Sequence, residues 1–123
     1  MTQEDKDLLL RDLCARLPYG VKINENTQGD FTVIGLTIER VFTTCETEGC
    51  HNDFPVECVK PYLFPLSSMT EEQEKEYNNL NCYELGCFPH SEEALDYLTK
   101  NHFDYRYLIE KGLAIDATGK NIY

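Results

Sequence analysis

The sequence predicts an α+β fold, with residues 1–123 forming a single domain. Three observations indicate this fold class. Apolar residues recur at helical spacing near the start, an alternating pattern typical of strands runs from residue 20 to 66, and helix-capping signals return after residue 70. A chain of 123 residues is also long enough to bury a core without a metal or disulfides.

The first part, residues 1–19, predicts one helix over about residues 3–17. Thr2 and Asp5 form a capping arrangement ahead of the apolar run, and Pro18 ends it. The apolar stripe of this helix consists of Leu9, Leu10, Leu13, Cys14 and Leu17. We therefore expect Cys14 to be a small buried residue of the stripe.

The second part, residues 20–66, predicts several short strands that form a small antiparallel sheet or an SH3-like barrel. Residues 31–44 alternate with large apolar groups in both sets, which indicates either a long strand or a bent pair with Gly35 at the kink. The predicted strands are residues 21–23, 31–44 and 54–59, followed by an extended, proline-restricted stretch over residues 60–65.

The third part, residues 70–123, predicts two or three short helices packed on the sheet. Thr70 and Gln73 match a capping box that opens a helix of about residues 71–79. Ser91 caps a second helix through about Lys100. The predicted third element is another turn or two of helix over residues 105–111, with Gly112 in the left-handed position that ends it.

The charge balance favours a protein partner over nucleic acid. The net charge is −11, from 22 acidic and 11 basic residues. Nucleic acid is bound mainly by neutralising phosphates, so we expect no direct nucleic acid binding, whereas an acidic surface complements a basic one. No apolar run approaches the roughly 18 residues of a membrane span, and the acidic N-terminus is unlike a secretory signal. We therefore expect a cytoplasmic protein without membrane association.

Two segments share the pattern Cys-x-x-x-Gly-Cys, and they pair Cys45 with Cys50 and Cys82 with Cys87. Four thiolates in two pairs suit a tetrahedral zinc ion, with His51 and His90 as spare donors. The spacing is wide for a zinc site, so reduced surface thiols and a redox-sensitive or disulfide pair remain alternatives. Zinc is thus a possible cofactor, and we expect no other.

The sequence does not contain a motif that is typical of a catalytic site. Cys87 and His90 are close in sequence, but no oxyanion-forming motif accompanies them. The chain contains no glycine-rich phosphate loop, no His-Glu-x-x-His and no Gly-x-Ser-x-Gly. We therefore expect a protein without enzymatic activity.

An aromatic stretch near the C-terminus is the remaining candidate for function. Tyrosine and arginine are enriched at the energetic centres of protein interfaces. The stretch could therefore belong to a contact patch, although packing of its apolar members in the core is the alternative. The candidate interaction residues are Tyr62, Phe64, Tyr105, Arg106 and Tyr107.

Three collinear stretches carry a resemblance to a known family. They are Asp12-Leu-Cys-Ala-Arg-Leu-Pro-Tyr-Gly-Val-Lys22, the segment from Cys58-Val-Lys-Pro-Tyr-Leu-Phe-Pro to Glu-Lys-Glu-Tyr77, and His102-Phe-Asp-Tyr-Arg-Tyr-Leu-Ile-Glu-Lys-Gly-Leu-Ala-Ile115, about 45 residues together. They resemble a family of small acidic proteins that phages and prophages of gut bacteria encode, a family with no assigned activity. The resemblance implies a phage accessory protein in the bacterial cytoplasm. The cysteine pairs lie outside these stretches.

The leading functional expectation is a non-enzymatic phage or prophage accessory protein that binds a host or phage protein. Its sharper form is inhibition of a bacterial defence factor, whose basic nucleic-acid groove the acidic chain would occupy. One alternative is a small zinc-binding domain built on the two cysteine segments. A further alternative is a protein that sequesters a small ligand in a pocket between the sheet and the helices.

Overall fold

The computed structural model describes residues 2–25, 28–44, 51–80 and 92–123, and it confirms the α+β class. An N-terminal helix, a mixed sheet and short C-terminal helices make up the architecture. The helices are α1 (Gln3–Arg16), α2 (Glu71–Leu80) and α3 (Glu92–Lys100). The strands are β1 (Lys22–Glu25), β2 (Gly29–Leu36), β3 (Arg40–Thr44), β4 (His51–Pro55), β5 (Val59–Pro65), β6 (Phe103–Asp104) and β7 (Ile115–Asp116).

Helix α1 begins where its capping signal predicts. The backbone N–H of Asp5 donates to Thr2 Oγ1 over 3.1 Å, which satisfies one of the free amides of the first turn. One expectation for this helix is wrong, because Cys14 is exposed. The buried face passes instead through Leu9, Leu13 and the polar pair of Asp12 with Arg16.

The sheet follows the order β4-β3-β2-β1-β5-β6, and β7 also pairs with β5. The pairs among β1 to β5 are antiparallel, as predicted for this part of the chain. The two-residue strands β6 and β7 join β5 in parallel, which makes the sheet mixed. Within the described residues the path ends at β4 and at β6, so the sheet is open and not a closed barrel.

Residues 31–44 form a bent pair of strands, which is one of the two structures that their alternating pattern predicted. Strands β2 and β3 make a hairpin whose turn is held by Thr37 Oγ1, which accepts the N–H of Arg40 over 3.0 Å. The register shifts between Val33 and Gly35, consistent with the predicted irregularity at this glycine.

The strand predicted over residues 54–59 is interrupted. Strand β4 ends at Pro55, and a short 3-10 helix, Val56–Cys58, separates it from β5. Val56 is fully buried there, and its N–H donates to the carbonyl of Glu39 over 3.0 Å. The interruption between β4 and β5 therefore coincides with burial of the Val56 side chain and with a backbone hydrogen bond from Val56 to the hairpin turn.

The core draws on the helix, the sheet and the C-terminal segment. Its members share nearly complete burial, and they form one continuous cluster. They include Leu9, Leu13, Val21, Ile23, Val33, Val41, Phe54, Val56, Val59, Leu63, Leu108 and Leu113.

The predicted capping box opens α2. The N–H of Thr70 donates to Gln73 Oε1 over 2.9 Å, and the N–H of Gln73 donates back to Thr70 Oγ1 over 3.2 Å. Helix α3 follows, with Ala94 and Leu98 fully buried on its inner face.

The helix predicted over residues 105–111 is replaced by turns, and the chain after Lys100 contains β6 and β7 instead. The carboxylate of Asp104 accepts the N–H groups of Leu108 and Ile109, at 2.9 and 3.0 Å. Gly112 has φ +75°, and the N–H of Leu113 donates to the carbonyl of Leu108 over 2.8 Å. This is the C-terminal motif that the glycine predicts, closing a single turn instead of a regular helix.

Candidate functional site

The predicted zinc ligands, Cys45, Cys50, Cys82 and Cys87, lie outside the described residues. The zinc site therefore stays a prediction. The two described cysteines, Cys14 and Cys58, are free thiols on the surface. Among the residues with described positions, no three histidine, cysteine, aspartate or glutamate side chains are grouped as a metal site would need.

The five predicted interaction residues lie in different surroundings. Tyr62 is only 7% exposed, and its hydroxyl donates to Asp30 Oδ1 over 2.7 Å. Burial and the hydrogen bond to this carboxylate raise the pKa of Tyr62 to about 12. Tyr107, which is 58% exposed, is the one member of the five that lies in an exposed position, because the other four are buried or half-buried. The described structure therefore does not gather these residues into one exposed patch.

Arg106 and Tyr105 belong to an ion-pair cluster centred on Asp12. One oxygen of Asp12 accepts from Arg16 Nε over 2.9 Å, and the other accepts from Arg106 Nη1 over 2.8 Å. Asp12 and Arg16 are fully buried, and the Arg106 guanidinium lies 4.5 Å from the centroid of the Tyr105 ring. Since Arg16 also donates to the carbonyl of Phe103, the cluster ties α1 to the C-terminal segment.

A cleft of about 480 Å³ lies beside β5 and the C-terminal segment. Its walls come from the 3-10 turn after β5, from α2, from the end of α3 and from the last residues of the chain. The lining side chains and backbone belong to Phe64, Ser68, Gln73, Lys100, Asn101, His102, Phe103, Thr118, Gly119 and Tyr123. Phe64 is the one predicted interaction residue in this cleft.

Tyr123 is held firmly in the cleft wall. The N–H of Lys22 donates to its hydroxyl over 2.8 Å, and the hydroxyl donates to the carbonyl of Tyr62 over 2.9 Å. Its ring packs against Phe64 with 6.0 Å between centroids and stacks on His102 at 3.9 Å. Burial of the hydroxyl raises the pKa of Tyr123 to about 12, although the residue as a whole is 44% exposed.

His102 forms part of the same wall in an unusual backbone conformation. Its φ is +61°, a left-handed value that few residues other than glycine adopt, and its side chain is 6% exposed. Burial, assisted by the charge of Arg16, lowers the pKa of His102 from 6.5 to about 4. The ring is therefore neutral at pH 7. A hydrogen bond to the backbone of Tyr19 acts in the opposite direction.

A second surface lies on the β2–β3 hairpin. Ile34, Ile38 and Phe42 are 48%, 80% and 36% exposed, and we call these three residues the hairpin surface. Because side chains alternate along a strand, Ile34 and Phe42 face outward while Val33 and Val41 face the core. Phe42 pairs with Gly35, which has no side chain to cover it.

An apolar groove of about 260 Å³ adjoins the hairpin surface at Ile38. Leu10 and Cys14 of α1 form one side, and Leu36 and Thr37 form the other. The exposed position of Cys14 therefore places its thiol in this groove. In the sheet order β4 is the terminal strand, so one of its edges is unpaired within the described residues.

Sequence reasoning missed Ile38, His102 and Tyr123 as site residues. Residues 31–44 carry large apolar groups in both alternating sets, and this pattern does not tell which of them are exposed. His102 and Tyr123 carried no local signal, because their positions depend on contacts with distant segments.

None of the helices in the described part of the chain has the length and apolar character that crossing a membrane requires. Comparison with models of known protein families, with curated proteins and with solved structures finds no match to this chain.

Proposed function

We propose that this protein acts by binding another protein that presents a basic surface, with the hairpin surface as the apolar centre of the contact. The observation that carries this proposal is the exposure of three large apolar side chains on one hairpin: Ile34, Ile38 and Phe42. Single exposed apolar residues are ordinary, whereas several on one short hairpin favour an interaction site.

The charge of the chain favours a basic partner. At −11 the protein attracts Lys- and Arg-rich surfaces and repels a second copy of itself. Glu39 is exposed directly beside Ile38, and the exposed pair of Arg40 with Asp53 lies next to it in the hairpin and β4. An apolar centre with a charged rim is the usual arrangement of a protein interface.

The unpaired edge of β4 supports the same location. In the sheet of the described residues, β4 pairs with β3 alone, so its other edge is unpaired and faces away from the hairpin. A partner strand could add at this edge through backbone hydrogen bonds, at the end of the sheet that carries the hairpin surface.

The family resemblance of the three sequence stretches favours a phage or prophage protein as the setting of this function. A phage or prophage accessory protein in the bacterial cytoplasm would meet host and phage proteins, and a defence factor that binds nucleic acid would present a basic groove to the phosphates. Occupation of such a basic groove by this acidic chain is the sharper form of the proposal. It requires neither a cofactor nor enzymatic activity.

The test identifies one partner and then measures its affinity. Proteins captured from bacterial lysate by the wild-type chain are identified by mass spectrometry, and the strongest basic candidate is purified. Its affinity is measured by calorimetry for the wild type, for Ile38→Asp and for the control Asn121→Asp, which adds the same charge at an exposed site off the hairpin.

The proposal predicts that Ile38→Asp weakens binding by about tenfold or more, since burial of an apolar side chain of this size contributes about 1.5–3 kcal/mol. Asn121→Asp should bind like the wild type. A purified partner that binds Ile38→Asp as tightly as the wild type would overturn the proposed surface.

A further inference from the structure

We infer that the cleft beside β5 binds a small molecule that combines a planar aromatic ring with an anionic group. This site is independent of the hairpin surface, because none of the hairpin residues lines the cleft. The cleft volume, about 480 Å³, falls within the usual range for small-molecule sites.

Aromatic side chains form the apolar part of the cleft and favour a flat ligand. Phe64 and Tyr123 lie 6.0 Å apart between ring centroids, and the centroid of Phe103 lies 6.2 Å from that of Phe64. Tyr123 is fixed by its two hydrogen bonds and by its stacking on His102. Rings held in this way offer a preorganised stacking surface, which lowers the entropic cost of binding.

The charge lining the cleft favours an anion. The chain has 22 acidic residues, yet none of the described lining residues is acidic. Lys100 is the one cationic side chain among them, since His102 is neutral at pH 7. An anionic group placed near Lys100 would gain a charge-assisted hydrogen bond, and none of the described lining residues has an acidic side chain that would repel it.

Two amide side chains could recognise the polar edge of a ring. Gln73 uses Oε1 to accept the N–H of Thr70, and Asn101 uses Nδ2 to donate to the carbonyl of Tyr97. Within the described residues this leaves Gln73 Nε2 as a donor and Asn101 Oδ1 as an acceptor. A ligand with both hydrogen-bond acceptors and donors on its ring matches this pair.

Two classes of small molecule combine a planar ring with an anionic group, nucleoside monophosphates and aromatic carboxylates, and a binding experiment can separate them. The probes are adenosine monophosphate and 4-hydroxybenzoate. Adenosine and inorganic phosphate are tested separately, because they are the two halves of adenosine monophosphate. Binding to the full chain is followed by NMR titration at millimolar probe concentration, with the backbone amides of Asn101 and Gly119 as reporters of the cleft. The variants are Lys100→Gln and the matched control Lys111→Gln, an exposed lysine away from the cleft.

We expect at least one of the two ring-bearing anions to bind and to shift the Asn101 and Gly119 amides. Lys100→Gln should weaken that probe by about tenfold, which corresponds to about 1.4 kcal/mol, and Lys111→Gln should not. Adenosine and phosphate alone should bind more weakly than the intact nucleotide if the nucleotide is the source. The inference is overturned if neither ring-bearing anion binds, or if the one that binds is indifferent to Lys100→Gln.

Discussion

The backbone N–H of Lys22 donates to the hydroxyl of Tyr123 over 2.8 Å, and this bond joins the start of β1 to a residue 101 positions further along the chain. The same hydroxyl donates to the carbonyl of Tyr62 in β5, so one side chain bonds to two neighbouring strands. The ring of Tyr123 then stacks on His102. The C-terminal residues are thereby held against the sheet, where they complete the cleft.

Replacement of Tyr123 by Phe tests this link. The ring packing would stay while both hydrogen bonds of the hydroxyl are lost, so we expect the free energy of unfolding to fall by about 1 kcal/mol. Urea denaturation measures the difference. The control is Tyr107→Phe at an exposed tyrosine, which should change stability by less than about 0.5 kcal/mol. Equal effects of the two substitutions would show that the Tyr123 hydroxyl contributes nothing specific.

The buried ion-pair cluster gives a second prediction. Asp12→Ala would leave the fully buried guanidinium of Arg16 without its carboxylate, and Arg106 would lose the same partner. We expect a loss of about 3–5 kcal/mol of stability, since an unpaired buried charge is costly. Asp7→Ala, at an exposed carboxylate of the same helix, should cost about 0.5 kcal/mol or less. Denaturation curves in which the two variants are equally stable would contradict the structural role of the cluster.

His102 gives a prediction about pH. Its pKa is about 4 in the folded protein and 6.5 ordinarily, so the unfolded chain binds the extra proton first as the pH falls. Stability should therefore decrease from about pH 6.5 down to about pH 4, by about 3 kcal/mol from this residue. Among the described residues, the carboxyl pKa values of Asp30, Glu57 and Asp116 are lowered, and these groups lose their contributions as the pH falls below their ordinary pKa values of 3.8 to 4.5.

The variant His102→Asn isolates the contribution of the His102 imidazole to the pH dependence of stability, because asparagine tolerates the left-handed backbone at this position. The stability difference between wild type and variant, measured by urea denaturation, should shrink as the pH is lowered from 6.5 towards 4. A difference that stays constant across this range would mean that His102 is not held neutral by burial.

Local signals in the sequence predicted much of the secondary structure. The caps at Thr2 and Thr70 and the left-handed Gly112 depend on residues a few positions apart, and all three occur as expected. The break at residues 56–58 was missed because it accompanies burial of Val56 and a bond to the distant carbonyl of Glu39. Strands β6 and β7 were missed for a related reason, since two-residue strands have no periodicity to detect.

The site residues were harder to predict because they depend on long-range contacts. Arg106 fits an interface by residue type, yet Asp12, 94 positions earlier, draws it into an ion pair. Tyr62 likewise turns its hydroxyl to Asp30 instead of to solvent. The hairpin surface follows from which face of β2 and β3 packs into the core, where Val33 and Val41 share one cluster with Leu9 of α1.

The hairpin surface also makes a stability prediction. Ile38 is 80% exposed, so Ile38→Asp should change the free energy of unfolding by less than about 0.5 kcal/mol. A loss of binding in this variant would then report the contact itself and not unfolding. Thermal denaturation checks this condition, and a clear fall in melting temperature would show that Ile38 supports the fold.

Calorimetric titration of an identified, purified basic partner into the wild type, Ile38→Asp and Tyr107→Asp tests the central claim most directly. Tyr107 is the one exposed member of the aromatic residues that the sequence suggested, so the two variants separate the two surfaces. The proposed function predicts that Ile38→Asp loses about tenfold or more in affinity while Tyr107→Asp binds like the wild type. Unchanged affinity of Ile38→Asp for that partner would contradict it.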